Sequence, residues 1–477
     1  MMAQTLPYYF GVLLFNLCLA FYLITALQWY SYKLSRLIFH YHRPLWHVYF
    51  LALPCVVFLT ALGFSWLALA YFVLIHAPLL YFWNKKLDKK LIFTPKVRWF
   101  FIFVCLYALC FAILSLEFSF LFNLLTLPLA LLSLKILDLF QALHFKKKAK
   151  NKLHPDLKII LITASFGKTS IKNFLYELLC EDFKTQKSPR SVNTLMGIVK
   201  DINENLSPQT QIYIAEAGAR ASGDILELSA FLGPQFCIVG EIGNAHLEYF
   251  KSVENTRATK LKALNSKNLQ RAFLHSSTLK NEDDKTEIYD KGLLRVRASL
   301  EGLEFSLLLE GEEEHFSSPI LGAFNAENLC AAILCAKFLG VRLDKIRQKI
   351  QGLRPVEHRL QVLSRAPKFI IDDGFNGNLK GMSQSYALCK SYQGRKILVT
   401  PGIIETHEAD NIALAQSINE SFDCAIITAQ TNAALFKREL KIKTLILKDK
   451  AELIPALKRH TKNGDLILFS NDAPSFM

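Results

Sequence analysis

Residues 158–170 read KIILITASFGKTS, and this stretch decides the fold of the chain. The apolar run at 158–163 has the length and composition of a buried strand. The segment 171–179 repeats apolar residues at helical spacing, which predicts an amphipathic helix directly after the turn. A strand, a GKTS turn and a helix in this order form the setting that a phosphate-binding loop requires. The stretch therefore predicts an α/β domain with a nucleotide site at its first turn.

The turn carries the groups that bind phosphate in such loops. Backbone N–H groups and the positive end of the following helix would hold phosphate oxygens. Lys168 would bring a positive charge near the terminal phosphates of ATP, and the Thr169 hydroxyl would bind Mg²⁺. The remaining candidates for nucleotide contact lie in the same turn: Ser165, Gly167 and Ser170. Because Leu161 and Ala164 stand where glycines are usual, an ordinary turn between strand and helix stays open as an alternative.

Two later segments add candidate metal ligands. Residues 213–220 read YIAEAGAR, a strand followed by Glu216, and residues 234–248 read PQFCIVGEIGNAHLE, a second apolar strand leading to His246. We expect this Glu and this His at the ends of adjacent parallel strands, on the edge of the sheet where ligands bind. Both side chains suit a divalent ion beside a triphosphate.

Four apolar stretches precede this domain, at residues 8–30, 48–83, 99–116 and 118–141. About 20 apolar residues cross a bilayer as a helix. Lys and Arg cluster at 33–43, 85–98 and 146–152, and such clusters stay on the cytoplasmic side. All three reach that side if 48–83 folds as a hairpin near Gly63-Phe64-Ser65. The pattern then predicts five transmembrane helices: 8–30, 48–63, 65–83, 99–116 and 118–141.

This topology places the N-terminus outside and the chain after the last span in the cytoplasm. It predicts a multi-pass protein of the inner (cytoplasmic) membrane, in contact with lipid. Four spans, with 48–83 as one helix, are an alternative, and a buried helical core of a soluble protein is another.

Composition excludes several other classes of protein. The 477 residues carry a formal net charge of +15, but no base-reading motif accompanies it, and basic clusters beside membrane helices account for the charge without nucleic acid. The ten cysteines form no CxxC pair and no zinc spacing, which indicates a reducing compartment. We expect a transmembrane region at 1–150, a central ATP-binding domain at 151–350 and a C-terminal domain at 351–477. The oligomeric state is open.

Six segments, in this order, resemble the motifs of the Mur ligase family: ITASFGKTSIK at 162–172, SVNTLMGI at 191–198, AEAGARASGDI at 215–225, EIGNAHLEYFKSVENTRATK at 241–260, GAFNAENLCAA at 322–332 and DDGFNGN at 372–378. The resemblance covers roughly 153–477. It implies an α/β central ATPase domain with a phosphate-binding loop, followed by an α/β Rossmann-like C-terminal domain.

The resemblance also implies roles for single residues. Lys168 and Thr169 match the loop lysine and the Mg²⁺ hydroxyl, and Glu216 and His246 match the metal-binding pair. Lys260 stands where the family has a carbamylated lysine that supports a second metal ion. Four further residues match positions that contact the nucleotide: Asn325 and Asn328 on the adenine side, Arg359 on the phosphates and Asp373 on the ribose.

The implied activity is ATP-dependent amide-bond formation through an acyl phosphate. Within the family, the motifs are most similar to the branch that adds D-alanyl-D-alanine to UDP-N-acetylmuramoyl-tripeptide in peptidoglycan synthesis. A ligase acting on a lipid-linked cell-wall precursor is the alternative, because membrane helices stand where soluble relatives have a UDP-sugar-binding domain. A nucleotide-binding membrane scaffold without turnover is a third hypothesis. Phe324 replaces a motif His and Lys262 replaces an acidic residue, so adenine packing and the charge near Lys260 are expected to differ.

Overall fold

The computed structural model describes residues 2–30, 32, 34, 37, 45–60, 65–87, 89–117, 120–243, 250–375, 377–403, 406 and 408–472. These residues divide into two compact units, Met1–His144 and Phe145–Met477. The two units are helical and α/β respectively.

The first unit is built from apolar helices. They are α1 (Met2–Trp29), α2 (Leu45–Thr60), α3 (Ser65–Tyr71), α4 (Ala77–Lys85), α5 (Pro95–Glu117) and α6 (Thr126–Lys152). A π-helical turn, Val48–Ala52, lies inside α2, and a second, Phe72–His76, joins α3 to α4. Three segments of the described chain are long and apolar enough to cross a membrane: Pro7–Trp29, Pro95–Leu114 and Leu121–Lys152. The hairpin expected near Gly63 lies outside the described residues.

Helix α6 continues to Lys152, beyond the predicted end at residue 141. Its last turns belong to the second unit, where Lys150 Nζ donates to the Phe231 carbonyl at 2.7 Å and Asn203 Nδ2 donates to the Phe145 carbonyl at 3.0 Å. The basic tail stays helical because these contacts anchor it on the α/β unit.

A six-stranded parallel sheet forms the first half of the second unit. Its strands are β1 (Lys158–Thr163), β2 (Thr185–Lys187), β3 (Ile212–Ala217), β4 (Phe236–Val239), β5 (Arg271–Leu274) and β6 (Thr286–Ile288), in the order β2-β3-β1-β4-β5-β6. The helices around it are α7 (Lys168–Leu179), α8 (Leu195–Asn205), α9 (Asp224–Leu232), α10 (Val253–Leu261), α11 (Phe324–Phe338) and α12 (Leu343–Gln351).

Apolar side chains cover both faces of this sheet. One core contains Ile160, Ile162 and the inner faces of α7 and α11, and the other contains Leu161 and the inner faces of α8 and α9. Such double coverage explains why the strands read as continuous apolar runs rather than alternating ones. An antiparallel sheet of β7 (Leu293–Ser299), β8 (Gly302–Leu309) and β9 (Glu312–Ser318) follows β6 and closes the first core.

The C-terminal half contains a second six-stranded sheet. Its strands are β10 (Gln361–Ser364), β11 (Phe369–Asp373), β12 (Lys396–Thr400), β13 (Cys424–Ile427), β14 (Lys443–Ile446) and β15 (Leu466–Ser470), in the order β10-β11-β15-β12-β13-β14. Only β10 is antiparallel to its neighbour. The helices are α13 (Leu379–Lys390), α14 (Glu408–Ser421), α15 (Ala433–Glu439) and α16 (Leu453–His460). Both halves have the predicted α/β architecture.

Candidate functional site

The loop after β1 is shaped by two constraints at one glycine. Gly167 precedes α7 with a φ of 78°, a left-handed conformation that L side chains rarely adopt. A Cβ at this position would lie 2.3 Å from Oδ1 of Asn328. The loop therefore packs directly against the start of α11, and only glycine satisfies both requirements.

Lys168 begins α7 and bends back over the loop. Its Nζ donates to the carbonyl of Ala164 at 2.8 Å and to that of Ser165 at 3.2 Å. Burial lowers the pKa of its ammonium, the charge of Glu216 raises it, and the charge of Arg359 lowers it again. This lysine is thus held at the mouth of the loop by weak carbonyl acceptors, in surroundings where an anion would stabilise its charge.

Glu216 lies in β3, next to the loop, and is buried. Its Oε2 accepts from Thr169 Oγ1 at 3.0 Å and from Lys172 Nζ at 3.0 Å, and Asn193 Nδ2 lies 3.5 Å from Oε1. The Lys172 ammonium also donates to the Arg190 carbonyl. The structure therefore brings together two of the predicted metal ligands, Thr169 and Glu216, and a buried lysine that the motif analysis did not single out fixes the carboxylate.

The strands that lead to Glu216 and His246 are not neighbours, which corrects the sequence-based expectation. Strand β1 lies between β3 and β4. The reason is the crossover order of the sheet, which places the loop-bearing strand in the centre and the two flanking strands on either side of it. His246 itself lies outside the described residues.

Lys260 lies near the end of α10, whose N-cap, Ser252 Oγ, accepts from the amide of Asn255 at 3.2 Å. The side chain is only 4% exposed. Burial, and to a lesser extent the charge of Lys168, lowers the pKa of Lys260 to about 7. Lys262 points elsewhere and donates to the Ser222 carbonyl at 2.9 Å.

The two asparagines of the adenine-side motif open α11 and are buried. Asn325 Nδ2 donates to the Leu321 carbonyl at 2.8 Å, and its Oδ1 accepts from Asn328 Nδ2 at 3.0 Å. Asn328 in turn lies against Gly167. Phe324, in the place of the motif His, packs on the apolar core of the C-terminal sheet. The structure thus brings this motif to the phosphate loop, and Phe324 makes an apolar junction between the two sheets.

Arg359 comes from the C-terminal half and influences the same site. It lies between two residues with left-handed backbone, His358 (φ 59°) and Leu360 (φ 46°). Its Nη1 donates to the Phe375 carbonyl at 2.7 Å. Burial lowers the pKa of the guanidinium, and the charges of Asp373 and Glu216 raise it. The tight turn directs the guanidinium toward the phosphate loop of the other half.

Asp373 stabilises that turn. Its Oδ1 accepts from the amide of Leu360 at 3.2 Å, and its Oδ2 accepts from Ser385 Oγ at 2.9 Å. The neighbouring Asp372 binds Nδ1 of His358 at 2.6 Å and the amide of Gly374 at 2.9 Å. Both carboxylates are buried, so they order the turn that carries Arg359.

Two polar side-chain pairs that the sequence analysis did not predict also lie near the site. Lys380 Nζ at the start of α13 donates to Glu241 Oε1, after β4, at 2.5 Å, which joins the two halves. His275 Nε2 lies 3.2 Å from Glu327 Oε2, inside the adenine-side motif. Each pairs residues far apart in the sequence, and no local pattern marks either one.

Within the described part of the chain, no group of three or more His, Cys, Asp and Glu residues is placed to hold a metal ion. The Glu216 carboxylate and the Thr169 hydroxyl nevertheless form a pair of hard oxygen donors at 3.0 Å. Oxygen donors of this kind suit Mg²⁺, which is usually bound through one or two carboxylates and substrate phosphates. The donor set therefore fits the ion.

Comparisons with known proteins find similarity to Mur ligases. The family model described as the Mur ligase middle domain matches residues 162–336. A UDP-N-acetylmuramoyl-tripeptide–D-alanyl-D-alanine ligase of Bacillus subtilis is 25% identical over 333 residues, covering 65% of this chain and 72% of the relative. The enzyme of the same name from Borreliella burgdorferi is 25% identical over 312 residues, covering 61% of this chain and 66% of the relative.

Solved structures show the same fold. The crystal structure of the MurF ligase from Thermotoga maritima in complex with ADP superposes with a TM-score of 0.61 at 21% identity, covering 69% of this chain and 80% of that one. A MurF from Acinetobacter baumannii gives a TM-score of 0.60 at 21% identity over 69% and 78% of the two chains.

Proposed function

We propose, from the premise that this chain carries a Mur ligase middle domain at residues 162–336, that the protein is an ADP-forming ligase joining D-alanyl-D-alanine to UDP-N-acetylmuramoyl-tripeptide. Relatives with that name and MurF structures with that fold support the assignment. The reaction would use ATP to activate a carboxylate of the acceptor and an amine of the dipeptide to form the amide bond.

The observation that carries the proposal is the gathering of cations from different elements at the loop after β1. Arg359 lowers the pKa of Lys168, and Lys168 lowers the pKa of Lys260, so the charge of Lys168 interacts with each of the other two cations. Glu216 is the acidic group that acts on both Lys168 and Arg359. A site with surplus positive charge at a helix N-terminus is built for a polyanion such as the triphosphate of ATP.

Glu216 and Thr169 would hold Mg²⁺ beside the phosphates, with Lys260 in its carbamylated form and His246 as further ligands. The ion would neutralise charge on the phosphate oxygens. Lys172 has a separate task, because its ammonium keeps the Glu216 carboxylate in one orientation.

Phosphoryl transfer needs stabilisation of charge on the oxygens of the moving group. The substrate carboxylate attacks the γ-phosphorus, the bond to the β-phosphate oxygen breaks, and ADP and an acyl phosphate result. Lys168 at the loop and Arg359 from the C-terminal half would both face those oxygens. When ATP binds, Lys168 would exchange its two carbonyl acceptors for phosphate oxygens. Its hydrogen bonds would then be stronger, because the new acceptors are charged.

The second step is attack of the amine on the acyl carbon. A tetrahedral intermediate forms and collapses with loss of phosphate, and the amine proton leaves to phosphate or solvent. Water must be kept from the acyl phosphate during this step. The Lys380–Glu241 pair and the packing of Phe324 on the C-terminal core join the two halves around the site, which supports a closed arrangement for this chemistry.

Nucleotide recognition would use the remaining predicted residues. Asn325 and Asn328 lie beside the loop and would serve the adenine side, and Ser165, Gly167 and Ser170 belong to the loop and the first turn of α7. Asp373 accepts from the amide of Leu360 and from Ser385 Oγ, which holds its carboxylate at the turn that carries Arg359. It remains our candidate for the ribose.

We further propose that residues 1–150 anchor the ligase in the cytoplasmic membrane with residues 151–350 and 351–477 in the cytoplasm. Three helices with the length and apolarity of membrane spans support an anchor. Five spans and an external N-terminus follow from the basic clusters. The same helices favour a second candidate function, ligation of a lipid-linked precursor that reaches the enzyme within the membrane plane.

The assay that tests the proposal measures ADP release by the full chain in detergent, with UDP-muramoyl-tripeptide and D-alanyl-D-alanine supplied together and separately. We expect release only with both substrates, a product identified by its mass, and a loss of about a hundred- to a thousandfold in Lys168→Ala. Lys267→Ala, at an exposed lysine outside the site, is the control. ATP binding without any ADP release under these conditions would instead support the scaffold hypothesis.

A further inference from the structure

The helical unit contains a groove of about 520 Å³ between α2 and the α3–α4 segment. Its volume falls in the range of about 300–1,000 Å³ that is usual for ligand sites. Aromatic rings form the inner side: Phe50 lies 5.3 Å from Trp83 and 6.0 Å from His76, centroid to centroid, and Trp46 lies 5.6 Å from Trp83. Exposed aliphatic residues, Leu53 among them, form the rim, so the groove is open at the surface of the helical unit.

Both π-helical turns of this unit line the groove. Val48–Ala52 contributes Tyr49 and Phe50, and Phe72–His76 contributes Ile75 and His76. π-Helical turns are rare and occur frequently at functional sites, because they displace side chains from regular helical positions. Two of them facing one another across a single groove indicate that its shape is specific.

The inner side also presents buried polar atoms. His76 is 1% exposed and Trp83 is 7% exposed. Among the described residues, neither Nε2 of His76 nor Nε1 of Trp83 has a hydrogen-bond partner. The indole N–H is a donor only, and a neutral imidazole donates from one of its two nitrogens. Buried polar groups in folded proteins are normally paired, so two unpaired nitrogens are unusual among the residues that line one groove.

Lys86 supplies a positive charge at the same groove. Exposed lysines adjoin it in the chain at Lys85, Lys89 and Lys90. Basic pockets between transmembrane helices on the cytoplasmic side bind anionic lipid head groups. Apolar walls with a cation beside them match an amphiphile with one apolar chain and a phosphate head.

We propose that this groove binds the apolar chain of a single-chain lipid phosphate, with the phosphate at Lys86. The proposal rests on the membrane anchoring put forward above, and it specifies the substrate class of the second candidate function, a precursor carried on a lipid phosphate. A groove of about 520 Å³ has the volume of a site for one small ligand, so we expect it to hold one chain and not both chains of a phospholipid.

The test uses native mass spectrometry of the full chain in an uncharged detergent with farnesyl phosphate, farnesol or phosphatidylglycerol added at equal concentration. We expect retention of farnesyl phosphate over both competitors. Lys86→Gln should weaken retention by about tenfold or more, because it removes a charge-assisted contact. Leu53→Trp should abolish retention by filling the groove. Lys90→Gln and Leu109→Trp, at exposed sites that do not line the groove, are the matched controls and should bind as the wild type does.

Equal or better retention of phosphatidylglycerol, no retention of farnesyl phosphate, or retention unaffected by both Lys86→Gln and Leu53→Trp overturns the proposal. ADP release with the soluble UDP-linked substrate is measured on the same samples. We expect Leu53→Trp to keep this activity, which shows that its α/β unit is folded, and retention of farnesyl phosphate by Leu109→Trp shows that the helical unit tolerates an added Trp. Failure of the ligase assay with lipid retention intact would count against the proposed function and leave the groove assignment standing.

Discussion

At the scale of single residues, the protonation state of the Lys260 amine determines whether a carbamate can form on it. Carbamate formation joins a neutral amine to CO₂ and releases a proton, so it requires the unprotonated lysine. With a pKa lowered to about 7, a large share of this buried amine is neutral near pH 7, whereas an ordinary lysine is almost wholly charged. The product is an anion, which replaces one of the surplus cations with a metal ligand.

We therefore expect ligase activity to fall as the pH drops through about 7 and to recover in part when bicarbonate is added, since lower pH protonates the amine. Lys260→Ala should lose most activity and regain some with formate or acetate, which can occupy the position of the carbamate. Activity as a function of pH and of added carboxylate is the measurement. Wild-type turnover in Lys260→Ala would exclude a carbamate role.

Lys172 and Glu216 form a buried ion pair at 3.0 Å, with side chains 1% and 2% exposed. Removing one partner of such a pair costs about 3–5 kcal/mol, because the other charge stays buried without compensation. We expect Lys172→Met to lower the thermal stability of the detergent-purified protein strongly. The double variant Lys172→Met/Glu216→Gln should recover part of that loss, although both variants lack activity.

A single Lys172→Met variant as stable as the wild type would show that the pair carries little energy. Lys184→Met, at an exposed lysine, is the control for the loss of a lysine as such.

The sequence predicts the role of a single residue when a local motif contains it, and not when the role depends on distant segments. The sequence identifies Lys168, Thr169 and Glu216 because each lies at a recognisable spacing in a strand–turn–helix pattern, and the structure brings them together. Lys172 was missed because a lysine in the first turns of a helix is usually solvated. Its burial depends on β3 and on the backbone at Arg190, which no local pattern reveals.

At the scale of elements, the loop between β1 and α7 depends on Gly167. A substitution there meets both the left-handed backbone, which costs about 1–2 kcal/mol, and a contact with Asn328 at 2.3 Å. We expect Gly167→Ala to displace the loop and to remove the thermal stabilisation that ADP gives. Gly340→Ala, at φ 99° with open space around it, carries the backbone strain without the contact and should keep that stabilisation.

An ADP-dependent thermal shift that is the same in Gly167→Ala and in the wild type would contradict the tight packing of the loop against α11.

The sequence predicts where strands and helices occur better than it predicts which strands lie side by side in a sheet. The apolar run at 158–163 is the strand β1, and the helix predicted at 171–179 begins three residues earlier, at Lys168 inside the GKTS motif, because Gly167 precedes its first turn. The expectation that the strands leading to Glu216 and His246 are adjacent was wrong, because strand order depends on crossover connections rather than on sequence order. The extension of α6 to Lys152 depends on contacts with the α/β unit, which a hydropathy pattern does not contain.

At the scale of the whole molecule, the membrane topology is the prediction most specific to this chain. Single cysteines on a background without the ten native ones would be labelled from outside with an impermeant reagent. We expect labelling at Ala3 and Ser65 and protection at Ser35, Lys89 and Asn151, because basic clusters resist translocation.

Outside labelling of Lys89 with protection of Ser35 would refute the hairpin near residue 63. Labelling of Asn151 from outside would remove the catalytic region from cytoplasmic ATP and would count against the ligase as well. Permeabilised cells, in which all five positions should react, are the control for accessibility.

Strand β15, Leu466–Ser470, lies between β11 and β12 at the middle of the C-terminal sheet. During translation this strand leaves the ribosome after all its partners, so the sheet remains split into two parts until then. The order of synthesis is reversed in the ATP-binding half. Its central strand β1 is synthesised first, and later strands add on both sides of it. We therefore expect the ATP-binding half to assemble on the nascent chain, and the sheet beside the turn of Arg359 to be completed only after β15 has emerged.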